Sequence, residues 1–132
     1  MTNALQALLG AKPAAEITEK VAMKRLGAEF TIKALTGDDL DKIREQATRP
    51  EKQGKRMVSV VNEDEAALLL VVKGTVDPPF GDAALLKQFG AVDASDCVQK
   101  ALLAGEIATL QAAIGELSGF GGEDEEVEEV KN

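Results

Sequence analysis

Hydrophobic and polar positions change period several times along the chain, and each change predicts an element. Residues 2–9 suit one or two helical turns with Leu5, Leu8 and Leu9 on one side, before Gly10 and Pro13 interrupt them. So short a helix is marginal by itself. From Glu16 the period shifts towards two: Ile17, Val21 and Met23 alternate with polar residues, Gly27 follows, then Phe30, Ile32 and Ala34 alternate with Thr31 and Lys33. This predicts a β-hairpin turning near 26–28, favoured by the glycine and the β-branched second strand. A helix over 16–26 competes with it, because Glu, Lys, Ala and Met all favour helix.

Thr36, followed three residues later by Asp39, reads as a capping pair, and Leu40, Ile43 and Ala47 then recur at helical spacing until Arg49 and Pro50 stop them. A short amphipathic helix is expected there. Residues 51–56, EKQGKR, read as a solvated, mostly basic loop with no core role. Residues 57–61 fit a short strand or the approach to the next helix. Asn62 and Glu65 repeat the capping spacing, and Glu63, Asp64 and Glu65 suit the positive end of a helix dipole. The helix over 66–73 ends near Gly74. Its Leu68, Leu69, Leu70, Val71 and Val72 are apolar all round, which calls for burial either inside the chain or against another copy or partner.

Beyond Asp77-Pro78-Pro79 the pattern is one of short helices. Asp82 caps a helix over Ala83–Phe89, with Leu85, Leu86 and Phe89 on one face and Gly90 closing it. Asp93 or Ser95 caps another over 96–103, where Val98 and Leu102 are four apart. Gly105 and Glu106 open the last helix. Its Ile107, Leu110, Ile114 and Leu117 recur at three, four and three, a narrow seam suited to one neighbouring helix. Gly115 in that helix points to close approach of another backbone, or to simple tolerance. Gly119, Gly121 and Gly122 end the order, and EDEEVEEVKN at 123–132 is too charged to bury and reads as a disordered tail. The expected fold class is therefore α+β of a mainly α kind: a small N-terminal β-hairpin followed by short packed helices. One domain covers 1–120, with the hairpin at about 16–35, the helical part at about 36–120 and an acidic tail at 121–132.

Composition sharpens this chiefly by what it lacks. A length of 132 residues fits one domain. There is no His, so imidazole-dependent triads and His-ligated metals are excluded, and a single Cys supplies neither an internal disulfide nor a structural zinc site. The first ten residues lack a signal peptide's basic and long apolar regions. The longest uncharged apolar stretch, 66–72, falls far short of the ~20 residues that span a bilayer. A cytoplasmic location without a membrane partner is expected. Net charge is −8, of which six acids and one Lys in 121–132 contribute −5. That sign opposes binding to a phosphate backbone.

Catalytic templates fail on inventory or context. The glycine cluster GFGG at 119–122 follows a helix and precedes the acidic tail, whereas a phosphate cradle needs a strand before it and a helix after it. Cys97 has no His to deprotonate it and reads as a buried small hydrophobe. Asp38, Asp39, Glu63, Asp64 and Glu65 are explained by first turns of helices, and the acids at 123–129 lack the DxDxDG spacing of an EF-hand. The closely spaced last two helices invite a helix-turn-helix reading, but GEIATLQAAIGEL at 105–117 carries no Lys or Arg. No catalytic, cofactor-binding or metal-ligating residue is assigned, no cofactor is expected, and neither nucleic acid nor membrane is expected as a partner.

Val76-Asp77-Pro78, then Asp82, Leu85, Leu86, Phe89 and Gly90, then GEIATLQAAIGELSGF at 105–120 resemble the tail assembly chaperones of long-tailed bacteriophages and related prophages. The hairpin followed by Ala34-Leu35-Thr36 and a capped helix also suits that family, so the resemblance spans roughly residues 16–120. Its most distinctive part is the GEI…L…I..LSGF stretch. The N-terminal turn and the basic 50–56 segment carry nothing characteristic. The resemblance implies a non-enzymatic, mainly helical protein, encoded just ahead of the tape-measure protein and acting in the cytoplasm of the bacterial host. Such proteins bind the hydrophobic tape measure, keep it soluble, help recruit tail-tube subunits and are lost from the finished tail. In many phages a fraction of translation slips frame and adds a C-terminal domain; this chain would then be the short form.

An apolar face shared among short helices, with little aromatic anchoring, suits weak repeated contacts along a long client, and an acidic tail keeps a laden complex soluble. Leu85, Leu86, Phe89, Ile107, Leu110, Ile114, Leu117 and Phe120 are accordingly the candidate residues for client binding or homo-oligomer formation. The alternative is a generic acidic adaptor, or a structural tail protein retained in the particle.

Overall fold

A computed structural model describes residues 3–120. The acidic segment 121–132, expected above to be a disordered tail, lies outside the described residues. The first helix, α1 (Ala4–Leu9), is capped by Asn3, whose Oδ1 accepts the Gln6 N–H at 2.8 Å. It buries nothing, and its three leucines are all exposed.

The predicted hairpin is present. β1 (Thr18–Met23) and β2 (Ala28–Lys33) pair antiparallel, Thr18 opposite Lys33 and Met23 opposite Ala28, about a 3-10 turn over Lys24–Leu26. The alternation holds in β2, where Phe30 and Ile32 are buried and Glu29 is exposed, and at the end of β1, where Val21 is half-buried and Met23 buried; Ile17 lies before the strand and is exposed. Helix α2 (Gly37–Ala47) starts at a reciprocal capping box. The Asp39 N–H donates to Thr36 Oγ1 at 3.2 Å, and the Thr36 N–H donates to Asp39 Oδ2 at 2.9 Å. Its apolar stripe buries Ile43 and Ala47.

Residues 51–56 are not a loop. β3 (Thr48–Gln53) and β4 (Arg56–Val61) form a second antiparallel hairpin, Thr48 opposite Val61 and Gln53 opposite Arg56. This ribbon is a separate two-stranded sheet. The strand TRPEKQ shows no apolar alternation because it is almost wholly exposed, leaving pattern reading nothing to detect. The readable signal is the two-residue turn Gly54-Lys55: Gly54 sits at φ +64, the positive value that short hairpin turns need and glycine adopts without strain. The ladder also settles 57–61 as strand.

Helix α3 (Glu63–Gly74) is capped by Asn62, whose Oδ1 accepts the Glu65 N–H at 3.1 Å. Val71 and Gly74 are buried in it, and Leu68, Leu69, Leu70 and Val72 are half-buried. Directly after it, β5 (Thr75–Asp77) joins the free edge of β2, so the first sheet runs β1-β2-β5. Ile32 faces Thr75 and Thr31 faces Asp77, with a register shift between them. Three helices complete the order: α4 (Ala83–Phe89), α5 (Ala94–Ala101) and α6 (Ala104–Leu117). Asp82 caps α4 through the Ala84 and Leu85 N–H groups, and Asp93, rather than Ser95, caps α5 through the Asp96 N–H at 2.8 Å.

The expected class, mainly α with one small hairpin, is therefore corrected. Among the described residues helix, 3-10 turns included, accounts for 54% and strand for 23%, with five strands in two sheets, so the β part is far larger than one hairpin. The expectation fell short because β3 is polar on both faces and β5 is three residues long, too short for any period.

The core lies between the inner face of the first sheet and the helices. Met23, Phe30 and Ile32 from the sheet meet Val71, Cys97, Val98, Leu110 and Ile114. Phe30 and Phe80 pack edge-on, centroids 6.2 Å apart and planes at 66°, a favoured aromatic geometry. A Cβ added at Gly115 would meet nothing within 4 Å, so of its two readings tolerance is the one that holds. Among the described residues no helix is long and apolar enough to cross a membrane.

Candidate partner-binding groove

The eight candidate residues separate by depth. Leu110 and Ile114 are fully buried, which withdraws them from any surface of the folded chain: they fill the space between α6, α3 and the sheet. Half of the α6 seam is thus spent inside the molecule, because the neighbour it docks on is the chain's own α3. Leu85, Leu86, Ile107 and Leu117 are half-buried and pack against the core from its edge. Phe89 and Phe120, 38% and 61% accessible, are exposed. The fold does not gather all of these onto one face.

It does place Ile107 in a groove whose other walls were not singled out from the sequence. An open cleft of about 510 Å³ runs between α3, α5 and α6. Ala67 and Leu68 line it from α3, Leu102 from the end of α5, and Ala104 and Ile107 from the first turns of α6, with Asp64, Gln99 and Gln111 as polar rim. Across it the Gln111 side-chain amide donates to the Ala67 carbonyl at 3.3 Å, tying α6 to α3. Leu103, between α5 and α6, is 57% accessible. The alanines make the cleft: a larger side chain at 67 or 104 would fill it. The one sequence signal pointing here was the all-round apolar character of α3, which leaves Leu68 half-buried and facing the opening.

Outside the groove, the head of α6 makes a long-range ion pair with the first sheet's turn. The Arg25 guanidinium, in the turn between β1 and β2, grips the Glu106 carboxylate with Nε–Oε2 at 2.9 Å and Nη2–Oε1 at 2.8 Å. The same carboxylate accepts the Leu103 N–H at 2.8 Å, satisfying a donor at the head of α6. The Arg25 hydrogen bonds, then the Leu103 N–H, hold the Glu106 carboxyl below its ordinary range, and Glu106 in turn raises the Arg25 guanidinium. This contact ties the head of α6 to the turn between β1 and β2.

The arrangement offers shape and apolar surface. Cys97 is buried, and burial pushes its thiol up, away from the reactive thiolate. Among the described residues no group of three or more His, Cys, Asp or Glu is placed to hold a metal ion.

A family model described as Phage XkdN-like tail assembly chaperone protein matches residues 5–131 of the chain. The crystal structure of the protein YqbN is similar in fold, with a TM-score of 0.62 at 18% identity, covering 91% of this chain and 99% of that one. No curated protein matches the sequence.

Proposed function

Because the chain belongs to the phage XkdN-like tail assembly chaperone family, we propose that it binds the tape-measure protein through the groove between α3, α5 and α6, keeps that client soluble and promotes tail-tube assembly. The observation that carries this reading is the open cleft itself, small-residue walls over an apolar floor at the meeting of three helices. An amphipathic helix laid into such a groove buries its apolar face at i, i+3, i+4 and i+7, as helix-in-groove recognition requires. The floor supplies aliphatic carbons and no aromatic anchor, so each engagement is modest and a long client is held by many copies. The protein acts without catalysis, in the host cytoplasm, and departs before the tail is finished.

The test is co-expression with the tape-measure protein encoded alongside it. The soluble fraction of that client should rise with the wild-type chain and return towards the unaided level with Ala104→Glu or Leu103→Asp. Both positions are exposed, so the variants should keep the wild-type circular dichroism spectrum. Equal solubility of the tape measure with and without this chain would overturn the proposal.

A further inference from the structure

The β3–β4 ribbon carries charge of the opposite sign to the rest of the chain. Residues 48–61 hold Arg49, Lys52, Lys55 and Arg56 against the single acid Glu51, a net of +3, in a protein of net −8. Residues 49–57 are all exposed. At the base, Arg49 pairs with Glu65 at 2.6 Å and the Asn62 N–H donates to the Ala47 carbonyl at 2.9 Å. Towards the tip, Lys52, Lys55 and Arg56 make no ion pair among the described residues. Three cations within five residues thus cap a ribbon that shares a sheet with no other described strand. A two-stranded hairpin in water is marginal by itself, so such a ribbon gains from a partner.

We propose that the ribbon is the docking site for the acidic segment 123–129 of the same chain. Three observations point to that occupant. The first is charge: six acids lie between Glu123 and Glu129, the densest run of that sign in the sequence. The second is that the family match extends over the acidic segment, to residue 131. The third is reach. The end of α6 is tied to the entry of α2 by the Leu35 N–H donating to Ser118 Oγ at 2.9 Å. From there α2 rises about 16 Å to the base of the ribbon, whose strands extend about 20 Å further. Residues 121–129, extended, span about 30 Å. The acids therefore reach the base and the middle of the ribbon even if α2 and the ribbon are collinear. Single surface pairs are weak, but a tethered segment meets its site at millimolar effective concentration, enough to keep several such pairs occupied together. Contacts of this kind are screened by salt.

The full-length chain tests this by zero-length carbodiimide cross-linking with mass spectrometry. Lys52 should link to Glu123–Glu129 within single chains at about 20 mM salt, and the yield should drop at least about three-fold at about 500 mM. Links from the tail spread equally over Lys20, Lys87 and Lys100 would overturn the proposal. So would links found in dimers alone, which would assign the ribbon to a second copy, or a ribbon protected by an added oligonucleotide while the tail stays unlinked. A second measurement avoids the lysine chemistry. Cutting of the acidic segment by a glutamyl endopeptidase should be about three-fold faster in Lys52→Gln/Lys55→Gln/Arg56→Gln than in wild type, the pairs that shield it being gone. An unchanged rate in a variant with wild-type thermal stability would refute the docking.

Discussion

A Cβ placed on Gly74 would stand 2.7 Å from both Cδ1 and Cγ2 of Ile114, closer than a real Cβ approaches another atom. Helices α3 and α6 therefore meet over a glycine, with a fully buried isoleucine pressed onto bare backbone. Two terms oppose each other in Gly74→Ala. Helix propensity favours Ala by up to about 1 kcal/mol, and overpacking a close-packed core costs about 1–3 kcal/mol. A net loss of about 1 kcal/mol is expected, a fall in Tm of about 3–6 °C. In an Ile114→Ala background the clashing atoms are gone, and the same substitution should turn stabilising. Urea unfolding of the four proteins of the cycle checks this, and a Gly74→Ala effect of the same sign and size in both backgrounds would sink it.

That contact also shows what can be read from sequence and what cannot. Features set within a few residues were legible: the Thr36–Asp39 capping box, the Asn62 and Asp82 caps, the alternation of the first hairpin and the period of α6. Each rests on local hydrogen bonding or on one face being buried. What escaped depends on partners far along the chain. β5 is a strand because β2 leaves an edge open, β3 because β4 folds back on it, and neither has a pattern of its own. The period of α6 shows a seam for one neighbouring helix without saying which, and because that neighbour is the chain's own α3, Leu110 and Ile114 lie in the core. The groove is the space three helices leave between small side chains, and Arg25 and Glu106 meet across 81 residues.

Thr75 gives a prediction of the opposite sign. It is buried on β5, and its Oγ1 has no hydrogen-bond partner among the described residues. An unsatisfied hydroxyl away from water costs about 1–3 kcal/mol. Thr75→Val keeps the β-branched shape and removes that group, so the variant should be more stable by about 1 kcal/mol. A thermal melt at or below the wild-type midpoint would mean that the hydroxyl is satisfied in solution.

Cys97 should be silent in the folded protein. It is fully buried in α5, and burial together with the neighbouring Asp96 raises its thiol. A thiol-specific disulfide reagent at pH 8 should label the native chain only at the rate of unfolding, and label it within the mixing time in denaturant. Since the thiol packs as a small hydrophobe, Cys97→Ala should cost about 1 kcal/mol and Cys97→Asp far more. Rapid native labelling would place the sulfur at a surface.

Acid sensitivity follows from three carboxylates held below their ordinary range. Hydrogen bonds from Arg25 and the Leu103 N–H lower Glu106; the Thr36 backbone N–H lowers Asp39, with Lys73 and Lys33 contributing charge; Lys100 and the Val92 N–H lower Asp96. A carboxyl more acidic in the folded chain than in the unfolded one binds fewer protons when folded, so its contribution is complete above the unfolded pKa of about 4. That contribution is lost as pH falls through the lower folded values. Stability should therefore vary little from these groups between about pH 7 and 5 and decline below about pH 4. The decline should be shallower in Glu106→Gln, whose amide oxygen can still accept the Leu103 N–H but no longer titrates. Glu106→Gln should also lose stability at neutral pH, because Arg25 is left without its counter-charge, so wild type and variant should converge on acidification. Urea midpoints measured across that range decide the matter: parallel curves would show that the Arg25–Glu106 contact does not set the acid limb.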